Sequence, residues 1–303
     1  MSVITEPRTE VRAPAFVLGL IGNTPLVPVL GFHAKLEMQN PGGSVKDRAA
    51  ARIIADAIAA GHLKPGGTIL DATSGNTGIA YAMIGAALGY RVRLCVPSNV
   101  TPERVAILRA YGAELVLTDP MQGSDGAILE ARRLHASDPD LFYADQYNNP
   151  SNWLAHYDTT AREIWQQTDG RVTHLVGGLG TSGTLMGTAR GLRERNPRLH
   201  VTSIQPEGPL HGIEGLKHMP TAIVPGIYDP GVADEEAGVS TEDAHEMTRR
   251  LARDHGLLAG VSSGAAAVVA ARLASRHPDA VVVTIFPDSG ARYLSEPFWS
   301  ERS

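Results

Sequence analysis

Residues 40–48 read Asn40-Pro41-Gly42-Gly43-Ser44-Val45-Lys46-Asp47-Arg48, a glycine turn that brings one lysine to the start of an alanine-rich helix. Asn-Pro-Gly-Gly interrupts regular structure, Ser44 is placed to cap the first turn, and Asp47 completes an approximate capping box. The helix dipole disfavours an ammonium group there by up to about 1 kcal/mol, and desolvation acts in the same direction. Both effects favour a neutral amine, which attacks carbonyl groups, so Lys46 is our candidate for the chemistry. The alternative is a solvated lysine that follows a turn by chance.

Outward from this turn, short apolar runs alternate with helical patterns. We predict a strand at 34–38 before the turn and a helix at 45–60 after it. A first block then contains strands at 68–72, 92–97, 114–118 and 141–144, and helices at 76–88, 102–111 and 124–136. A second block contains helices at 151–168, 183–194, 241–255 and 264–276, strands at 173–178, 200–205 and 280–286, and a long irregular stretch at 207–239. This alternation predicts an α/β fold with parallel-rich central sheets flanked by helices.

Composition narrows the range of functions. The 303 residues are 43% hydrophobic and 19% charged, with a net charge of −5 and a pI near 6.1. These values predict a full globular core with small-molecule partners, and no nucleic-acid or membrane partner. The single cysteine, Cys95, lies in an apolar run and is interpreted as core, and no residue pattern suggests a bound metal. The N-terminal residues lack the apolar core of a signal peptide, so we expect a cytoplasmic protein.

Three turns carry the chemistry expected of binding loops. Thr73-Ser74-Gly75-Asn76-Thr77-Gly78 joins a predicted strand to a helix and could receive a carboxylate, or be a plain structural turn. Gly177-Gly178-Leu179-Gly180-Thr181-Ser182-Gly183-Thr184 has the form of a phosphate cradle, because glycine N–H groups and hydroxyls converge at a helix start. It lacks the spacing of a Walker or dinucleotide loop, and a tight packing turn remains the alternative. Gly260-Val261-Ser262-Ser263-Gly264 precedes another helix, where serines are most often N-caps.

Taken together, these stretches resemble the fold-type II pyridoxal-phosphate enzymes, specifically the cysteine synthase and cystathionine β-synthase branch. The likeness extends roughly from Ile21 to Leu294 and rests on the lysine turn, on T-S-G-N-T, on the glycine loop and on S-S-G-A. It also includes Ile21-Gly22-Asn23-Thr24-Pro25-Leu26 near the start and Asp288-Ser289-Gly290-Ala291-Arg292-Tyr293-Leu294 near the end. The resemblance implies a tryptophan synthase β-like fold. Residues 51–150 would form a smaller, mobile lobe, and residues 1–50 with 151–303 a larger cofactor-binding lobe.

The resemblance also implies a role for each candidate residue. Lys46 would hold pyridoxal 5′-phosphate as a Schiff base, Asn76 would bond the phenolic oxygen of the cofactor ring, and Ser262 would face the pyridine nitrogen. The cofactor's phosphate would be held by Gly180, Thr181, Ser182, Gly183 and Thr184. The substrate carboxylate would be held by Thr73, Ser74, Thr77 and Gln146, although Gln146 read alone is an ordinary loop glutamine. The closing motif at 288–294 would lie near the ring, and we assign it no catalytic role.

The implied reaction is β-replacement on an activated L-serine by a sulfur nucleophile, giving L-cysteine, in a homodimer. The alternative within the family is cystathionine β-synthase, since residues 154–161 and 166–170 resemble that enzyme; we expect neither its regulatory module nor its haem. The alternative from another class is a phosphate-binding protein without catalysis.

Residues 207–228 bear on the choice of substrate, because the family's equivalent segment borders the mouth of the active site. This segment has no arginine, and its only formal cation is Lys217. A phosphoserine substrate would carry close to two negative charges and normally meets arginine or lysine. We therefore expect O-acetylserine to be preferred over O-phosphoserine, with Lys217 either solvated or reading the substrate.

Overall fold

A computed structural model describes residues 15–73 and 75–300 of the chain. The α-helices are α1 (Ala15–Gly19), α2 (Lys46–Ala59), α3 (Asn76–Leu88), α4 (Pro102–Ala110), α5 (Gly123–Ser137), α6 (Ser151–Ala155), α7 (Ala161–Gln167), α8 (Gly183–Arg193), α9 (Thr241–His255) and α10 (Val261–Arg276). The strands are β1 (Leu26–Val29), β2 (Phe32–Leu36), β3 (Thr68–Ala72), β4 (Arg91–Pro97), β5 (Glu114–Thr118), β6 (Leu141–Tyr143), β7 (His174–Gly178), β8 (His200–Pro206), β9 (Glu235–Val239) and β10 (Val282–Phe286).

Within residues 15–73 and 75–300, the strands form two sheets. Of these described strands, six form one sheet in the order β1-β2-β10-β7-β8-β9, and four form the other in the order β5-β4-β3-β6. Every described strand pair is parallel except the β1–β2 hairpin. Central strands such as β10 are buried along their whole length, as expected of parallel strands covered by helices on both faces. The predicted α/β class with parallel-rich sheets is confirmed.

The four-stranded sheet uses only residues between 68 and 143, while the six-stranded sheet uses strands before residue 37 and after residue 173. Each sheet packs against its own apolar clusters. The division into lobes at residues 50 and 150 stays a prediction, and its residues 1–14 and 301–303 lie outside the described ranges. Within those ranges, no helix is both long and apolar enough to cross a bilayer.

Four features of the chain differ from the prediction. Helix α1 was not predicted. Strand β1 was not predicted either, and its Pro28 is tolerated because the strand lies at the sheet edge. Strand β9 falls inside the stretch predicted as irregular. It was missed because its sequence Glu-Glu-Ala-Gly-Val is mostly exposed and has no apolar periodicity. The helix predicted at 151–168 is broken by a π-helical turn at His156–Thr160. Such turns are frequent at functional sites.

Candidate active site

A cavity lies where the N-termini of several helices and the end of β10 meet. Among its lining residues are seven of the predicted ones, namely Lys46, Asn76, Gly180, Thr181, Ser182, Thr184 and Ser262. The lining residues that the sequence reasoning did not assign to the site are Val45, Gly177, Gly178, Glu214, Gly215, Leu216, Ala266, Ile285, Pro287, Asp288 and Tyr293. Motifs more than 200 residues apart in the chain therefore share one site.

Lys46 is the first residue of α2 and is half-buried on the cavity wall. Burial lowers the pKa of its amine, and the nearby charge of Asp288 offsets part of that shift. The lowered pKa favours the neutral amine, as predicted from the position of the residue at a helix start. The alternative of a freely solvated lysine is wrong.

The turn before Lys46 is held differently from the predicted capping box. Val45 occupies the N-cap position, and Ser44 Oγ accepts only a long bond of 3.3 Å from Lys46 N. The carboxylate of Asp47 instead accepts from Gly42 N at 2.6 Å. Val45 N also donates to the carbonyl of Pro287 at 2.8 Å, which fixes the turn to the end of β10. Lys46 is thus positioned by the closing segment of the chain as well as by its own helix.

The glycine loop leads from β7 into α8 and shows why small residues are needed there. A Cβ at Gly180 would lie 2.3 Å from the carbonyl of Gly215, and a Cβ at Gly183 would lie 2.0 Å from Asn152 Oδ1. Ser182 adopts a left-handed φ of 72°, and its buried hydroxyl has no hydrogen-bond partner among the described residues. An unpartnered buried hydroxyl at the N-terminus of a helix is suited to an anion. Gly183 packs on Asn152 rather than lining the cavity.

His156 supports this loop from the π-helical turn, and the sequence reasoning did not single it out. Its Nε2 lies 3.3 Å from Thr184 Oγ1, and its Nδ1 lies 2.9 Å from Thr160 Oγ1. Burial, together with the charge of Arg48, lowers the pKa of His156 to about 3, so the ring is neutral. The histidine holds a loop hydroxyl without adding charge. Nothing in the local sequence marks it, because its partner is contributed by another helix.

The predicted substrate residues form a hydrogen-bonded cluster beside the cavity. Thr73 Oγ1 accepts from Gly75 N at 3.0 Å and Gly78 N at 3.1 Å. Thr77 Oγ1 donates to Gln146 Oε1 at 2.7 Å, and Gln146 Nε2 donates to the Ala72 carbonyl at 2.6 Å. Thr73, Thr77 and Gln146 are buried and, unlike Asn76, are absent from the cavity wall. Their role toward a substrate stays a prediction, and Ser74 lies outside the described residues.

Ser262 lines the cavity at the start of α10, with Ala266 one turn further on. Gly260 occupies the N-cap position, and no side chain caps this helix. The alternative that the serines serve as N-caps is therefore wrong. Ser262 presents a neutral hydroxyl to the cavity, and its predicted role toward a pyridine nitrogen stays a prediction.

Asp288 is the most informative residue that the sequence reasoning left without a role. It follows strand β10, is 1% exposed, and accepts from Asn76 Nδ2 at 2.6 Å and from the Tyr293 hydroxyl at 2.7 Å. Arg292, one helical turn on, donates to Asn76 Oδ1 and to the Gly42 carbonyl. An aspartate two residues after a buried strand was a usable signal, because such positions lie at the carboxyl edge of a parallel sheet.

Two charged residues of the segment 207–228, Glu214 and Lys217, form ion pairs with residues elsewhere in the chain. Lys217 is 8% exposed and donates to Asp125 Oδ1 at 2.8 Å, with its ammonium 5.2 Å from the centre of the Tyr147 ring. Burial alone would raise the pKa of Asp125. The hydrogen bond from Lys217 and the charge of Lys217 outweigh this effect and hold the pKa below its usual value. Glu214 lines the cavity and forms an ion pair with Arg104. The alternative of a solvated Lys217 is wrong.

These features fit pyridoxal 5′-phosphate. The loop at 180–184 offers backbone and hydroxyl donors, including the unpartnered Ser182 Oγ, to a phosphate group. Lys46 offers an amine of lowered pKa for a carbonyl carbon, and Asn76 and Ser262 offer polar groups on the same wall. The residues therefore match the phosphate, the aldehyde and the polar ring atoms of this cofactor.

Comparison with known proteins agrees with this fit. The profile of the family described as "Pyridoxal-phosphate dependent enzyme" matches residues 17–288. A cysteine synthase of Aquifex aeolicus is 49% identical, covering 96% of this chain and 94% of the relative, and cysteine synthase B of Escherichia coli is 47% identical, covering 93% and 95%. The solved structure of a cysteine synthase from Entamoeba histolytica superposes with a TM-score of 0.90 at 37% identity, covering 100% of this chain and 95% of that one. This chain therefore belongs to the pyridoxal-phosphate dependent enzymes, in the group that contains the cysteine synthases.

Proposed function

We propose that the protein is a cysteine synthase that replaces the acetoxy group of O-acetyl-L-serine by a sulfur nucleophile, giving L-cysteine. The observation that carries the proposal is the convergence of Lys46, the 180–184 loop and Ser262 on one cavity. The two curated cysteine synthases, at 49% and 47% identity over nearly the whole chain, support the same reaction.

Lys46 has the properties needed for proton transfer in this reaction. The bound cofactor supplies the electron sink that makes the substrate's α-proton acidic. Burial keeps the pKa of the Lys46 amine low, so its Nζ is able to take that proton and later return it. Since one amine both anchors the cofactor and moves the proton, its loss removes two functions at once.

Ser262 favours replacement at the β-carbon over transamination. A hydroxyl facing the pyridine nitrogen would leave that nitrogen unprotonated, so the ring would be a weaker electron sink than it would be beside an aspartate. Loss of the β-substituent would then be favoured over loss of the amino group. The position of Ser262 on the cavity wall supports this assignment.

The charge of the cavity wall supports an acetyl leaving group over a phosphate. Among the described residues that line the cavity, Lys46 is the only lysine or arginine, while Glu214 and Asp288 carry carboxyl groups. The phosphate of the cofactor adds close to two further negative charges. A phosphoserine would bring a second phosphate into this site with no arginine on the wall to receive it. O-Acetylserine is neutral at its leaving group and avoids that repulsion.

We further propose a cytoplasmic homodimer in which residues 51–150 form a smaller, mobile lobe. The single cysteine is buried and free, which suits a reducing compartment. Light scattering on the purified protein measures the mass directly; a value of one chain would contradict the dimer.

Steady-state kinetics test the reaction. O-Acetylserine, O-phosphoserine and serine are each combined with sulfide, thiosulfate and homocysteine, and Lys46→Ala provides the background rate. We expect O-acetylserine with sulfide to have the highest specificity constant. A preference for serine with homocysteine would make the protein a cystathionine β-synthase. Absence of turnover with every pair, in protein that holds the cofactor, would contradict the proposal.

A further inference from the structure

Both ends of the Asn76 side-chain amide are held by charged residues of the closing segment. Asp288 accepts from its Nδ2 at 2.6 Å, and the Arg292 guanidinium donates to its Oδ1. Asn76 itself lines the cavity. The two partners lie more than 200 residues away in the chain, so only the folded structure brings them to this amide.

The chemistry of the partners allows one orientation of the amide. An ionised carboxylate only accepts hydrogen bonds, and a guanidinium only donates them. If the amide were turned over, its oxygen would face the carboxylate and its NH₂ group would face the arginine. Both contacts would then be repulsive, whereas in the observed orientation both are charge-assisted. Asn76 therefore keeps its NH₂ group toward Asp288, and the second of the two N–H bonds is left for a ligand.

The two residues that clamp the Asn76 amide, Asp288 and Arg292, are themselves held by neighbouring segments. Asp288 directly follows Pro287 at the end of the fully buried strand β10, and its carbonyl accepts from Gly260 N at 2.9 Å. Its carboxylate lies so close to Gly260 that a Cβ there would stand 1.9 Å from Oδ1. Arg292 also donates to the Gly42 carbonyl in the turn before Lys46. The same two residues thus connect the Asn76 loop, the lysine turn and the start of α10.

We propose that Asp288 and Arg292 are positioning residues that fix the Asn76 amide, so that its free N–H donates to the phenolic oxygen of the cofactor ring. This inference deepens the proposed function and rests on the cofactor assigned there. It gives the closing motif Asp288-Ser289-Gly290-Ala291-Arg292 a role in orienting Asn76. Asp288 and Arg292 would have this role without touching the substrate. A purely structural role, in which Asp288 only ties Gly260 and Tyr293 in place, makes different predictions.

A double-mutant cycle separates the two roles. The affinity of the purified cofactor-free chain for pyridoxal 5′-phosphate is measured for wild type, Asp288→Ala, Asn76→Ala and the double variant. If Asp288 acts through Asn76, Asp288→Ala weakens cofactor binding at least tenfold when Asn76 is present. The same substitution weakens it less than threefold in the Asn76→Ala background. The absorption maximum of the bound cofactor should also shift in Asp288→Ala. Ser289→Ala is the matched control, because Ser289 shapes the same turn through Leu258 and Ala291 without contacting Asn76.

Arg292 provides a second arm if Asp288→Ala does not fold, since Arg292 is only half-buried. Arg292→Ala should weaken cofactor binding about fivefold, with less than a twofold effect when Asn76 is already alanine, and Arg292→Lys should restore most of the loss. Equal fold-changes in both backgrounds, with wild-type binding intact, would overturn the positioning role alone. A wild-type chain that binds no pyridoxal 5′-phosphate would overturn the proposed function as well.

Discussion

Two walls of the cavity bind by different physical means. The first, here called the phosphate wall, consists of Gly180, Thr181, Ser182 and Thr184 around the start of α8 and presents a glycine, hydroxyls and a helix dipole without a formal charge. The second, the lysine wall, consists of Lys46 and Asp288, with Asp47 and Arg292 behind them, and is organised by charges. In the proposed function, anchoring an anion and moving a proton are therefore assigned to separate groups. Backbone donors would hold a phosphate at any pH, whereas proton transfer at the lysine wall would depend on protonation.

Removing Lys46 should have the largest effect. We expect Lys46→Ala to lower turnover by at least about 10³-fold, because the anchor and the base are lost together. The protein should remain folded, with a thermal midpoint close to wild type, since the amine takes little part in packing. Lys64→Ala, at an exposed lysine, is the control. Turnover near the wild-type rate in Lys46→Ala would remove this residue from the mechanism.

Weakening the phosphate wall should affect retention of the cofactor more than chemistry. Replacing Thr181 and Thr184 by alanine would remove the two charge-assisted bonds that we propose they donate to the phosphate, each worth about 1.5–3 kcal/mol. Cofactor affinity should fall about 100-fold or more, while the rate of the fully loaded enzyme changes by less than about tenfold. Equilibrium dialysis and saturation kinetics measure the two quantities. Thr188→Ala, further along the same helix and outside the cavity, is the matched variant. Unchanged affinity would mean that the loop is a packing turn.

Two buried groups that support the walls, Asp47 behind the lysine wall and His156 against Thr184, should make opposite contributions to the pH dependence of stability. Burial raises the pKa of Asp47 to about 7, although the bond from Gly42 N acts in the opposite direction. The folded protein therefore holds a proton on Asp47 more tightly than the unfolded chain does. The stability that this protonated group contributes is lost as pH rises from about 4 to about 7. Burial lowers the pKa of His156 to about 3, so its contribution is present above about 6.5 and is lost as pH falls toward 3.

Urea unfolding midpoints between pH 4 and pH 8 measure these slopes. Relative to wild type, Asp47→Asn should gain stability as pH rises, and His156→Gln should gain less between pH 4 and pH 6.5. Asp279→Asn, at an exposed aspartate, provides the baseline. Variants whose curves run parallel to wild type would show that neither group titrates as described.

The smallest effect is expected outside both walls, at Lys217. Its ammonium is already paired with Asp125, so it is poorly placed to select the leaving group. Lys217→Ala should change the specificity constant for O-acetylserine by less than tenfold, or about 1.4 kcal/mol. A preference for O-phosphoserine that collapses in this variant would instead make Lys217 the phosphate reader.

Local signals predicted the elements and the loops well, whereas contacts across the chain escaped them. Glycine, proline and hydroxyl residues mark the ends of strands such as β3 and the starts of helices such as α8, because turn chemistry is set by neighbouring residues. The clamp of Asp288 on Asn76 spans 212 residues, and the pair of Lys217 with Asp125 spans 92. No periodicity within either segment encodes these partners. The edge strand β9 was missed for a related reason, since its pairing with β8 provides the stability that its own sequence does not.

The central claim is that Lys46 carries pyridoxal 5′-phosphate as a Schiff base within a cysteine synthase. Borohydride reduction of the purified, cofactor-loaded protein, followed by peptide mass spectrometry, tests it most directly. We predict that the yellow colour is lost on reduction and that the peptide containing Lys46 gains the mass of the reduced cofactor. An adduct on a different lysine, or a colourless protein that added cofactor does not change, would contradict the claim.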